Sequence, residues 1–185
     1  MKVVRAGALL ISCTLSFLLT SASHAAPAFI DARFSLTRLD GRTATQADFR
    51  GKWLIVYFGY TFCPDVCPTT LAAVENALDR LGPRAKEVQP IFVTLDPARD
   101  SAPVLGAYLK SFPHFAGLRG NASEIAEAAA RFHVYYRLRG LGNGEYTVDH
   151  SSFLYVVDPR GHFVELLSGD VPGHRLDEAL RKLVS

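Results

Sequence analysis

The stretch from Trp53 to Leu71 constrains this chain most, because it joins a buried strand to a helix through a turn that carries two cysteines. Leu54, Ile55, Val56, Tyr57 and Phe58 form an unbroken apolar run rich in β-branched and aromatic residues, closed by Gly59. Such a run predicts a strand covered on both faces. Cys63 and Cys67 follow in a short loop, and Pro68 marks the expected helix start, since proline is favoured in a first turn. Leu71, Val74, Leu78 and Leu81 recur at spacings of three and four, which predicts a helix ended by Gly82-Pro83. The cysteines therefore lie at or near a helix N-terminus, where free N–H groups and the helix dipole favour thiolate. A thiolate is both a nucleophile and a soft metal ligand, so residues elsewhere must separate the two roles.

The N-terminus reads as a targeting segment. Lys2 and Arg5 form a charged region, Ala6 to Leu19 an apolar one, and Ser23-His24-Ala25 resembles a cleavage site. Residues 1–25 are expected to be a signal peptide, with an uncleaved anchor as the alternative, and residues 26–185 a single domain large enough for a sizeable core. Export removes Cys13, so of three cysteines only Cys63 and Cys67 remain. A disulfide between them would close a tiny loop and add little stability, so a redox pair or a metal site fits better. Loss of Lys2 and Arg5 takes the net charge from +2 to about zero, and nothing in the charge pattern suggests a nucleic-acid partner.

In order, the chain gives a strand over Phe34–Leu39, a polar loop over Thr45–Arg50, the central strand and the cysteine turn. A helix to Leu81, a strand over Val88–Leu95 and a helix over Ala102–Phe112 follow. Phe115–Leu118 reads as a short strand, and Asn121 with Glu124 as a capping box that opens another helix. His133–Leu138 is irregular or extended, Gly140–Tyr146 a glycine-rich loop, and Ser152–Val157 a strand that pairs with His162–Leu167 across Asp158-Pro159-Arg160-Gly161. A last helix carries Leu176, Leu180 and Leu183. Strand–helix–strand followed by an antiparallel hairpin and a helix is a thioredoxin-like α/β arrangement: a central mixed sheet flanked by helices. It places the cysteine turn at the C-terminal edge of a central strand, where open α/β sheets keep their sites.

Two thiolates alone can hold Cu(I), and a neutral imidazole as third ligand would raise affinity and admit Cu(II). Of six histidines, His24 belongs to the signal, while His114, His133, His162 and His174 read as surface or locally satisfied side chains. His150 differs, because Val148-Asp149-His150-Ser151-Ser152 directly precedes a strong strand, and the corresponding loop of a thioredoxin-like sheet faces the cysteine turn. Only the fold can bring His150 to Cys67, 83 residues earlier (150 − 67). Asp65 and Asp149 are candidates to orient a ligand, or are solvated loop carboxylates. Tyr60 and Phe62 shield the site or belong to the core.

Four segments together resemble the Sco/SenC family: Y-T-F-C-P-D-V-C-P at 60–68, V-T-L-D-P-A-R-D at 93–100, F-H-V-Y-Y at 132–136 and V-D-H-S-S-F-L-Y-V-V-D-P-R-G at 148–161. The resemblance implies a thioredoxin-like copper-binding protein of the periplasm, exported by its signal and near or attached to the membrane. It implies Cu(I) or Cu(II) held by Cys63, Cys67 and His150. It further implies a metallochaperone that delivers copper to, or otherwise matures, the dinuclear copper centre of cytochrome c oxidase subunit II or another periplasmic cuproprotein, with a copper donor chaperone as a further partner. The alternative is a thiol–disulfide oxidoreductase that uses the Cys63–Cys67 pair on a cuproprotein partner, and a peroxidase of the peroxiredoxin type ranks third.

Overall fold

The computed structural model describes residues 29–185. The expected signal segment, with Cys13 and His24, lies outside the described residues. Nine strands and four helices follow in chain order among them. The first are β1 (Ser35–Arg38), β2 (Thr43–Thr45), β3 (Trp53–Gly59), α1 (Val66–Leu81), β4 (Val88–Thr94), α2 (Ala102–Leu109) and β5 (Ala116–Arg119). The rest are α3 (Ala122–Arg131), β6 (Tyr136–Gly142), β7 (Glu145–His150), β8 (Phe153–Val157), β9 (Phe163–Ser168) and α4 (Gly173–Leu183). Seven strands form one sheet in the order β2-β1-β5-β4-β3-β8-β9, and β6 and β7 form a separate two-stranded sheet. β3 runs parallel to β4 and antiparallel to β8, so the sheet is mixed. This is the α/β architecture expected from the sequence.

β3 sits near the middle of the sheet, and Leu54 to Phe58 are each 1% exposed or less. Alternation along the strand divides its side chains between two layers. Tyr57 meets Phe92, which meets Tyr108 of α2. Phe58 turns to the opposite face and packs on Phe132, just after α3, and on Tyr155 of β8. α1 lies on the Tyr57 side, where Leu71, Val74 and Leu78 are fully buried, and Arg80 pairs with Asp177 of α4 at 2.7 Å. Asn121 caps α3 as expected: its Oδ1 accepts from the Ser123 and Glu124 N–H groups, and the Glu124 carboxylate accepts from the Asn121 N–H. No helix among the described residues is long and apolar enough to cross a membrane.

Three local expectations are corrected. The span read as a polar loop over Thr45–Arg50 begins in β2 and continues as a 3-10 turn over Gln46–Phe49, closed by Asp48 accepting from the Thr45 N–H. α1 begins at Val66, ahead of Pro68, so Cys67 lies inside its first turn. The glycine-rich segment is not a loop but most of the β6–β7 hairpin. Its reversal is Asn143-Gly144, with φ of 53° and 82°, the positive values a two-residue hairpin turn demands. Repeated glycine and charge hid a strand whose residues after Tyr136 are exposed and so carry no apolar pattern.

Candidate metal centre

The site is assembled from two structures of different kinds. β3 ends at Gly59, and the chain then turns through Tyr60–Asp65 into α1. Gly59 is required by close approach, since a Cβ there would stand 2.9 Å from Tyr57 Cε1 and 3.0 Å from Cys67 Sγ. The first turn of α1 wraps the cysteines together: the Cys67 N–H donates to Cys63 Sγ at 3.4 Å. Cys67 is fully buried, Cys63 is partly exposed, and both are free thiols.

His150 arrives from the last position of β7 rather than from a loop. Its Nε2 lies 3.5 Å from Cys67 Sγ, and Cys63, Cys67 and His150 each offer a ligand atom within 4.8 Å of the others. The Ser151 carbonyl lies 3.0 Å from His150 Nδ1. A carbonyl can only accept, so Nδ1 carries a proton and Nε2 is the ring nitrogen turned toward the sulfurs. Tyr57 and Tyr60 flank the imidazole edge-on, at ring-centre separations of 6.2 and 6.0 Å.

The two thiols are pushed apart in acidity. Hydrogen bonding from Cys67 is the largest influence on Cys63 and, against the opposing effect of burial, holds its thiol down to about 4. Bonds involving His150 and the Cys67 and Asp65 backbone act in the same direction. Cys67 moves strongly up, first because it shares its proton with Cys63 and then because it is buried. At neutral pH the pair is one thiolate at the surface and one thiol beneath it. Two sulfurs and an imidazole nitrogen form a donor set suited to a soft metal ion such as copper.

The other sequence candidates take lesser places. Asp149 pairs with Arg139 at 3.0 Å and does not orient His150, a task that falls to the Ser151 carbonyl. Asp65 occupies the N-cap position of α1 and accepts from the Thr69 hydroxyl at 3.3 Å. Tyr60 is buried, with its hydroxyl on Thr147 Oγ1 at 2.8 Å, whereas Phe62 is exposed. Away from the site, His114 pairs with the nearly buried Glu75, and His162 lies beside Asp158. Sequence reasoning missed Arg99 and Asp100. Asp100 accepts from the Thr61 N–H, the Thr61 hydroxyl and the Thr94 hydroxyl, tying the cysteine turn to β4. The V-T-L-D-P-A-R-D segment held that signal, but its charges give no hint of burial.

Residues 22–185 match the sequence profile described as SCO1/SenC. The chain belongs to that family. It is 36% identical over 153 residues to the mitochondrial SCO2 homologue of Bos taurus, covering 80% of this chain and 58% of that protein. The chain thus spans less than two thirds of that relative's length. The structure resembles copper-bound ScoI of Bradyrhizobium japonicum, with a TM-score of 0.77, 35% identity, and coverage of 83% of this chain and 99% of the other. It also resembles apo Sco1 of Thermus thermophilus, with a TM-score of 0.75, 40% identity, and coverage of 82% and 90%. Both likenesses agree with the thioredoxin-like reading of the sheet.

Proposed function

We propose that this Sco protein binds one copper ion through Cys63 Sγ, Cys67 Sγ and His150 Nε2 and carries it as cargo to a cuproprotein. By the family's implied role, the recipient is the dinuclear copper centre of cytochrome c oxidase subunit II. The observation that carries this reading is the convergence of the three donor atoms within 4.8 Å, with His150 Nδ1 held by the Ser151 carbonyl and Nε2 turned toward the sulfurs. Membership of the family and the copper-bound state of the Bradyrhizobium relative support it. The N-terminal pattern of Lys2, Arg5 and the apolar run that follows supports export to the periplasm. In this reading Cys63 supplies a ready thiolate, Cys67 gives up its proton on binding, and His150 enters as a neutral ligand. A three-donor shell leaves room for a recipient's sulfur, so the cargo can pass by ligand exchange.

A second reading is favoured by the unequal thiols. The partly exposed Cys63 thiolate can attack a partner disulfide, forming a mixed disulfide and releasing one partner thiolate. Cys67 then loses its proton and attacks Cys63, which releases the second partner thiolate and leaves a Cys63–Cys67 disulfide. Two electrons pass to the partner, and the oxidised product holds no copper through thiolates.

The test mixes reduced, copper(I)-loaded protein anaerobically with a copper-free soluble domain of oxidase subunit II. Its cysteines are presented first as dithiol and then as disulfide. Delivery predicts copper on the dithiol form. Reduction of the disulfide form, with no copper passing to the dithiol, would replace delivery with the reductase reading.

A further inference from the structure

His150 reaches the cysteines from a hairpin that shares no ladder with the main sheet. An isolated two-stranded ribbon is marginally stable, so something must hold β6–β7 in place. Apolar packing does part of this through Val148, which is 3% exposed. Elsewhere the fit is looser: residues of the hairpin (Tyr136, Leu138, Tyr146) and of the body (Leu95, Ala122, Ile125) line a surface-open pocket of about 180 Å³. The hairpin therefore does not close fully against α3 along this edge.

Polar bonds bridge what packing does not. Arg99, in the turn between β4 and α2, sends Nη1 to the Tyr146 carbonyl at 2.9 Å and Nε to the buried Asp96 carboxylate at 2.5 Å. Asp96 accepts in turn from the Tyr146 hydroxyl at 2.8 Å. The guanidinium also stacks 3.7 Å from the Tyr146 ring centre and 4.7 Å from that of Phe62, the residue before Cys63. One side chain thus touches both the turn that presents the cysteines and the strand that presents the histidine. Arg99 Nη2 is buried without a hydrogen-bond partner among the described residues, a costly state for a cation. Its placement is set by the Asp96 carboxylate, the Tyr146 carbonyl and the two rings together.

Building on the copper reading above, we propose that Arg99 is a positioning residue: it latches the β6–β7 hairpin to the cysteine turn and so determines whether His150 completes the site. Arg99 makes no hydrogen bond to the three donor residues and acts through Tyr146 and Phe62. Lysine cannot replace it, because an ammonium lacks the planar fork needed to bond Asp96 and the Tyr146 carbonyl while stacking between two rings.

The test uses the reduced, exported chain with Arg99→Ala, Arg99→Lys and His150→Ala. In the metal-free protein, amide hydrogen exchange at Glu145–His150 should rise about tenfold or more in both Arg99 variants, with β3 and β4 unchanged. After loading with copper and oxidation, the thiolate-to-copper absorption band of Arg99→Lys should shift toward that of His150→Ala at full copper stoichiometry. Free imidazole added to the buffer should restore it in both variants. Unchanged exchange and an unchanged band in Arg99→Lys would overturn the latch. So would equal loss of protection in the hairpin and in β3, which would make Arg99 a general stabiliser. Failure of the wild-type chain to take up copper would sink the copper reading instead, and the exchange measurement would still decide the latch.

Discussion

The two halves of the site differ in almost every physical respect. The cysteine half grows from β3, whose residues from Leu54 to Phe58 are at most 1% exposed, and from a helix whose inner face is fully buried. The histidine half grows from a ribbon in which Leu138 and Leu141 are 58% and 61% exposed and whose strands share a backbone ladder only with each other. One half is fixed by close packing and the other by a few polar bonds. Under the copper reading, such a site would keep the two cysteines together while the histidine is the ligand more easily gained or lost. That suits a carrier better than a storage site, because a cargo bound by equally rigid ligands would leave slowly.

The contrast in packing can be broken most directly by truncation. Phe58→Ala should lower folding stability by about 3–5 kcal/mol, whereas Leu141→Ala should change it by less than about 0.5 kcal/mol, as read from urea unfolding midpoints. Comparable losses would mean that the hairpin belongs to the cooperative core.

The ligands should differ in the same direction. Cys67→Ser should weaken Cu(I) binding by about 1,000-fold, or ~4 kcal/mol, in competition with a chromophoric chelator. His150→Ala should weaken it by about 100-fold and leave the urea midpoint nearly unmoved. If His150→Ala binds Cu(I) as tightly as the parent, the imidazole is no ligand.

Proton counting sharpens the comparison within the cysteine pair. With Cys63 already a thiolate and the buried Cys67 still a thiol, copper uptake at pH 8 should release about one proton, measured by calorimetry in buffers of different ionisation enthalpy. Release of two would show that both begin as thiols.

The smallest expected effect is an absence of change. Because Cys63 is depressed to about 4, its thiolate is present above that value and lost only as pH falls through it. Alkylation of Cys63 by iodoacetamide in the metal-free protein should therefore stay nearly flat from about pH 9 down to pH 5. A rate that climbs tenfold per pH unit up to pH 8 would mark an ordinary thiol.

How much of this the amino acids disclosed follows the same division. The cysteine half was legible because strand and helix each leave a periodic apolar trace, seen in Leu54–Phe58 and in Leu71, Val74 and Leu78. Even the approach of Cys67 to β3 has a local mark in Gly59. Beyond Leu138 the hairpin was not legible as strand, because an exposed ribbon needs no apolar alternation and its Asn143-Gly144 turn lies among other glycines. His150 was singled out by the strong strand that follows it, but the strand that carries it was missed. Asp149 was a reasonable candidate to orient the imidazole by proximity in sequence. A backbone carbonyl does so instead, and a carbonyl leaves no trace in residue identity. Arg99 escaped notice for a related reason, since its importance lies in what surrounds it and not in its type.

The central claim, a copper ion held by both cysteines and by the histidine of the hairpin, is tested most directly by X-ray absorption of the Cu(I)-loaded protein beside its His150→Ala variant. The account predicts two sulfur neighbours and one imidazole nitrogen in the parent, and loss of the nitrogen alone in the variant. A sulfur-only shell that the substitution leaves untouched would contradict it.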